Sequence, residues 1–331
     1  MRTLPVGDVM DVGDFDHFVS QLGCLSKRQR ARVLEFLAPA SHQEQVVELL
    51  EGAAAEHLAC PRCRSVKHHL HGCAHGLQRY RCATCGKTFN ALTGTPLARL
   101  RHKSKWLRYS ECVLDSRTVR AAAARVGVHK NTTFRWRHRF LTLPKTDRPL
   151  RLGGIAEADE MYLLESEKGA RNLKRPPRKR GGAATKRGIS DQQVCILVAR
   201  DRTGKTLDFV TGKGPVTKKQ LQRCLPPVID KDALLVTDSN AAYRYFARET
   251  GISHEAVNLR AGVRVKGALH VQNVNAYHSR FRGWLQHFHR VATHYLPNYL
   301  GWRSVLDAKR IASPAALLKA AIGAFPHLTV T

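Results

Sequence analysis

The chain has 331 residues, long enough for a sizeable core and more than one domain. It is 43% hydrophobic, as a globular protein is, and it has no run of about 18 apolar residues to span a membrane. Its 55 Lys and Arg against 26 Asp and Glu give a formal charge of +29, a self-repulsive burden that a polyanion would relieve, so nucleic acid is the expected partner.

The opening MRTLPVGDVMDVGDFDHF has no apolar segment behind a basic start. No signal peptide is expected, and the location expected is cytoplasmic and nucleoid-associated. Residues 1–50 read as a helical lead segment. In SKRQRARVLEFLA, Ser26 suits an N-cap, and Val33, Leu34, Phe36 and Leu37 share an inward face. Nine cysteines in such a chain argue for metal rather than disulfides. Cys24, Cys73, Cys112, Cys195 and Cys224 are scattered and read as packing thiols.

Residues 55–97 hold CPRC, 18 intervening residues and then CATCGKTF. Two such knuckles can set Cys60, Cys63, Cys82 and Cys85 tetrahedrally around one structural Zn2+, with rubredoxin-like iron as the competitor. Gly86 permits the tight turn that points backbone N–H groups at sulfur. His68, His69, His71 and His75, with Cys73, read as surface groups, because four thiolates already satisfy zinc. A ribbon this small depends on its metal to fold.

Residues 100–143 read as a DNA-binding helix-turn-helix. Thr118 caps a first helix that carries Val119, Ala122 and Ala123 inward, and Gly127 makes the turn. A second helix follows near Lys130–Leu141, with Lys130, Asn131, Thr132 and Arg135 at its leading end, where the major groove is read. Trp136 reads as core, and a plain helical hairpin is the alternative. From Cys60 to Leu150 there are 20 Lys and Arg against three acids. LPKTDRPLRLGG (Leu143–Gly154) reads as a linker.

Residues 152–331 change pattern. IAEADEMYLL is strand-like, QQVCILVARDRTGKTLDFV is a hairpin and TKKQLQRCL a short helix. ALLVTDSNAAY is a buried strand leading into a helix closed by Gly251. SHEAV is a short strand, and a long helix runs from about Val271 to His289. This order predicts an α/β fold with a ribonuclease-H-like mixed sheet. EKGARNLKRPPRKRGGAATKRG (Glu167–Gly188) reads as a mobile basic loop able to lie along phosphates.

Asp159 falls on the first strand and Asp238 at the end of the buried later strand, predicted neighbours. Two such carboxylates with phosphate oxygens suit Mg2+ or Mn2+, and two ions can clamp a phosphodiester exchange. The bland alternative makes each a cap or turn residue. Alternation puts Glu157 on the Asp159 face as an auxiliary ligand, and Glu160 on the other, paired with basic surface. In the long helix Phe281, Trp284, Leu285 and Phe288 read as core. HVQNVNAYHSRFRGW at its start has no acidic residue to complete the site.

CPRC…RYRCATCGKTFNALTGTPL, EADEMYLLESEKG, CILVARDRTG, VTDSNAAY and HVQNVNAYHSRFRGWLQHFHRVATHYLPNYLGWR together resemble bacterial insertion-sequence transposases of the DDE superfamily, in the branch with an N-terminal zinc ribbon. The resemblance runs from about Cys60 to Trp302. It implies that Asp159 and Asp238 are the two acids and Asn275 the third metal ligand. Seven residues on, where the branch has Lys, stands Arg282, on the same helix face; the change keeps the charge but alters reach. It further implies binding of terminal inverted repeats, Mg2+-dependent hydrolysis and strand transfer into target DNA, and action as a homodimer or higher oligomer. A non-catalytic, transposase-derived DNA-binding regulator is the alternative function.

Overall fold

The computed structural model describes residues 11–37, 42–173, 175–178, 182–257, 262 and 265–325. Three helices lead: α1 (Val12–Leu22), α2 (Lys27–Leu37) and α3 (His42–Ala55). Ser26 starts α2 as a capping box: its hydroxyl accepts the Gln29 N–H at 3.3 Å, and Gln29 Oε1 accepts the Ser26 N–H at 2.9 Å. The inward face expected on α2 is not inward, since Leu34 is 69% exposed and Val33 half-buried. Periodicity gives a helix an apolar face but no partner for it. The Phe36 and Leu37 side chains lie outside the described residues. α3 runs past residue 50 and buries Val46, Leu50 and Ala53.

The ribbon is an antiparallel sheet of β1 (His68–Ala74), β2 (Leu77–Cys82) and β3 (Thr88–Phe89) in that order. Three helices follow: α4 (Trp106–Leu114), α5 (Val119–Val126) and α6 (Lys130–Phe140). Thr118 caps α5 by accepting the Ala121 N–H at 3.2 Å, and Gly127, at φ 68°, closes it. His129, not foreseen as a cap, starts α6 by accepting the Asn131 N–H on Nδ1 at 3.2 Å. Trp106, Tyr109, Trp136 and Phe140 form the buried centre of this three-helix unit.

The second sheet comprises β4 (Ile155–Leu164), β5 (Gln193–Asp201), β6 (Thr206–Lys213), β7 (Leu234–Asp238) and β8 (His254–Val257), ordered β6-β5-β4-β7-β8. The first three strands pair antiparallel; β7 joins β4, and β8 joins β7, in parallel. This is the ribonuclease-H-like arrangement anticipated. Strand alternation feeds two cores. Ala156, Ala158, Leu197 and Leu235 pack towards α7 (Lys218–Cys224) and α8 (Ala241–Thr250). Met161, Ile196, Val198 and Val236 pack towards α9 (Gln272–Gln286) through Val274, Tyr277 and Phe281.

The C-terminal helices α10 (Leu296–Ala308) and α11 (Pro314–Ala321) join the halves. Their buried Trp302, Leu317 and Leu318 belong to one apolar core with Leu50 of α3, Val113 of α4 and Phe140 of α6. Trp302 donates its indole N–H to the Val113 carbonyl at 3.0 Å. Arg137 of α6 is 1% exposed, with its guanidinium 4.8 Å from the Trp302 ring centroid and 5.5 Å from that of Phe288; it donates to the Tyr299 hydroxyl at 3.3 Å and to the Arg117 carbonyl.

The segment read as a linker is instead a fastened strap. Arg148 pairs with the buried Asp208 at 2.8 Å, Asp147 with Arg310 at 2.8 Å, and Lys145 with Asn298 at 2.7 Å. A side chain at Gly301 of α10 would collide with Lys145, which crosses it there. Prolines and glycines signalled an irregular backbone, but the charged residues between them have partners far away in sequence. Two scattered thiols also depart from expectation: Cys24 and Cys73 are exposed, whereas Cys112, Cys195 and Cys224 are buried.

Candidate active site

β4 turns Glu157 and Asp159 towards α9, and Glu160 towards α8. In the β4–β7 register Ala158 stands beside Thr237, so Asp159 and Asp238 are the next pair along two adjacent strands, about 4.8 Å apart. Asp159 Oδ1 accepts the Glu160 N–H at 2.9 Å, and its Oδ2 lies 3.7 Å from His278 Nδ1. Asp238 Oδ1 accepts the Asn240 N–H at 3.0 Å; Asn240 itself caps α8. Asp238 is therefore not the helix cap.

Asp159, Glu160, Asn275, His278 and Arg282 line one open cleft of about 530 Å³. Asp238, on the neighbouring strand, is not among the residues that line it. Burial raises the Asp159 carboxyl to about 6, against its backbone hydrogen bond and with the charge of Asp238 adding to the rise; Arg282 opposes. Burial holds His278 down to about 4, helped by Arg282, and its Nε2 has no partner. Among the described residues no Lys or Arg nitrogen lies within 4.0 Å of either aspartate oxygen. Two adjacent carboxylates without an ion pair, beside the amide of Asn275, are a hard-oxygen donor set that suits a divalent cation.

Glu157 and Glu160 depart from their expected roles. Glu157 is wholly buried. Its carboxylate accepts the Val274 N–H at 2.9 Å and the Asn273 amide at 3.0 Å, pairs with Arg202 at 2.8 Å, and lies 3.3 Å from His270. It is no auxiliary ligand but the anchor of the first turn of α9, where a carboxylate meets the positive end of the helix. Alternation showed the face it shares with Asp159; it could not show which helix end would arrive there. Glu160 pairs with tyrosines rather than basic surface: the Tyr243 hydroxyl donates to it, and that of Tyr162 lies 3.5 Å away. Burial raises it to about 7 despite Tyr243, with Asp159 and Asp238 adding.

In the ribbon the sulfurs of Cys60, Cys63, Cys82 and Cys85 all lie within 4.8 Å of one another. Cys60 and Cys85 are 3.6 Å apart, and Cys63 and Cys82 are 3.5 Å apart. Tetrahedral zinc with bonds of about 2.3 Å needs sulfur separations of roughly 3.8 Å. Gly86 takes φ 67°, and the Cys85 N–H points at the Cys82 sulfur from 3.5 Å. The Cys85 N–H is the main cause that lowers the Cys82 thiol to about 6. The Ser65 N–H alone would lower Cys63, but sharing with the Cys82 sulfur pushes it up to about 12. His69, His71 and His75 are exposed, while His68 packs edge-on against Tyr80 at 5.1 Å. On α6, Lys130, Asn131 and Arg135 are exposed and Thr132 half-buried, along the leading end of the helix.

Residues 151–303, which carry Asp159, Asp238, Asn275 and Arg282, match the family model of the ISXO2-like transposase domain. That segment, a little under half of the chain, is similar to transposases of insertion sequences. An uncharacterized protein in transposable element ISH50 of Halobacterium salinarum is 29% identical over 248 residues, 73% of this chain and 82% of that protein. Among solved structures, a pre-cleavage Mos1 transpososome shares 12% identity at TM-score 0.20, covering 60% of this chain and 75% of that one. The Mos1 paired-end complex with left transposon end gives 12% and 0.20, covering 66% and 79%. Likenesses so slight support no reading of the site. No described helix is long and apolar enough to cross a membrane.

Proposed function

We propose that this protein is a transposase that binds the terminal inverted repeats of its element, cleaves a phosphodiester at each end and transfers the freed 3′-hydroxyl into target DNA. One observation carries the reading: in a chain of charge +29, Asp159 and Asp238 stand side by side with no Lys or Arg ion pair among the described residues, in the segment that matches the transposase family model. Bare carboxylates would repel a phosphate unless a cation lay between them. Asp159, Asp238 and Asn275 would hold Mg2+ or Mn2+, which when bound activates the attacking oxygen and offsets charge on the phosphate. Arg282, two turns beyond Asn275, binds the phosphate. Glu157 fixes α9 so that Asn275 and Arg282 face the two aspartates. Lys130, Asn131, Thr132 and Arg135 read the repeat, and the ribbon, folded on Zn2+ through Cys60, Cys63, Cys82 and Cys85, extends the DNA-binding surface. Residues 55–97, 100–143 and 152–331 divide these tasks. Action on two ends calls for a homodimer or higher oligomer, working in the cytoplasm on the nucleoid.

The test uses labelled duplexes from the inverted repeats that flank the coding region, with and without Mg2+. Wild-type protein should cleave only with Mg2+, and Asp159→Ala should bind the ends without cleaving. Cleavage by Asp159→Ala would remove that residue from the site. Tight end binding by wild type with no cleavage under either condition would favour the regulator reading.

A further inference from the structure

A second cavity, of about 330 Å³, opens beside the cleft and shares Arg282 and Gln286 with it. Its walls are apolar: Tyr162, Leu163 and Leu164 from the end of β4, Leu285 from α9, and Val291 and Leu296 beyond it. The backbone polar groups that could have wetted it satisfy one another. The Ser166 N–H donates to Thr293 Oγ1 at 2.9 Å, and the Thr293 N–H to the Ser166 carbonyl at 2.8 Å.

The rim is cationic. Arg282 and Arg290 line it, and Arg290 donates to the Gly182 carbonyl at 3.1 Å. A carbonyl oxygen positions Arg290 without neutralising it, so its charge remains available to phosphates. Leu163 lies four residues along β4 from Asp159, roughly 13 Å, and Leu285 less than one helical turn from Arg282, about 4.5 Å. The cavity is too small for a duplex and too apolar for a phosphate. It fits a flat, apolar-faced group linked to a phosphate chain.

We propose that this cavity receives an unstacked nucleobase from the DNA strand whose phosphate lies at Asp159 and Asn275, while Arg282 and Arg290 hold the flanking phosphates. The inference rests on the DNA-processing reading above. It gives Tyr162 and Leu163 a part in strand separation next to the cut.

The test compares two DNA probes of the same duplex sequence, one blunt and one ending in a short single-stranded overhang that carries 5-iodouracil. Wild-type protein should bind the overhang probe about tenfold more tightly, the usual worth of one base stacked in a protein site. Ultraviolet crosslinks should map to the peptides that contain Tyr162 or Leu285. Leu163→Trp and Val291→Trp each fill the cavity from a half-buried position, with unchanged folding checked by thermal unfolding. Both should abolish the overhang advantage and leave blunt-duplex affinity unchanged. Equal wild-type affinity for the two probes, crosslinks confined to other peptides, or an overhang advantage that survives in a folded tryptophan variant would each overturn the proposal. Failure of wild type to bind either probe would overturn the DNA reading itself, and this proposal with it.

Discussion

Replacing Glu157 by Gln keeps the shape of the side chain and removes its charge. One carboxylate oxygen takes the Val274 N–H; the other takes the Asn273 amide, Arg202 and the nearby His270. A glutamine has one carbonyl oxygen, so its NH2 must oppose a donor whichever way the amide turns. If that donor is the Val274 N–H, a charge-assisted cap of about 1.5–3 kcal/mol is lost. If it is Arg202, an ion pair with a fully buried carboxylate goes instead. Arg202 is 27% exposed and recovers part of its hydration, which keeps the loss below the 3–5 kcal/mol typical of breaking a wholly buried pair. The expected cost is therefore about 3 kcal/mol, or roughly 6–12 °C in midpoint for a domain of this size. Because the loss loosens the first turn of α9, Mg2+-dependent cleavage should fall more than end binding. Thermal unfolding, repeated in a double-mutant cycle with Arg202→Met, measures the energy. A midpoint within about 1 °C of wild type, or strictly additive single mutants, would refute the anchoring role.

Three further outcomes are expected. In metal-free protein, raising the Asp159 carboxyl from 3.8 to about 6 means that the folded state disfavours its ionisation by about 3 kcal/mol. The sign is that of a raised acid: the penalty is full above pH 6, fades as pH falls and is gone below pH 4. Asp159→Asn should accordingly raise the unfolding midpoint at pH 8 and leave it unchanged at pH 3.5; a lower midpoint at pH 8 would contradict this. Wild type should bind one zinc per chain, and Cys82→Ser should bind none and have a looser ribbon; one zinc per chain by elemental analysis of the variant would reject the four-thiolate site. Arg137→Met should cost about 2–4 kcal/mol, because the Arg117 carbonyl and Tyr299 hydroxyl lose their buried donor; denaturant unfolding at wild-type stability would show that this arginine does not brace α6 against α10.

Local chemistry written into neighbouring residues was legible in the sequence. The two C-x2-C knuckles bring four sulfurs together because each knuckle is set by its own tight turn. Thr118 and Gly127 bound α5 because caps and left-handed turns are properties of a few consecutive residues. Period-two alternation placed Asp159 on a buried face, and the order of strands and helices indicated the sheet in which Asp238 would lie beside it. Tertiary structure alone decided the rest. Glu157 resembled a ligand because a strand shows which side a residue faces, not what arrives there; what arrives is the first turn of α9, more than 110 residues away in sequence. The strap through Asp147 and Arg148 resembled a free linker because its partners, Arg310 and Asp208, are 163 and 60 residues distant. A candidate site drawn from β4, β7 and α9 exists only when long-range packing closes those loops, and the buried charges beside it are paired by geometry that no local pattern encodes.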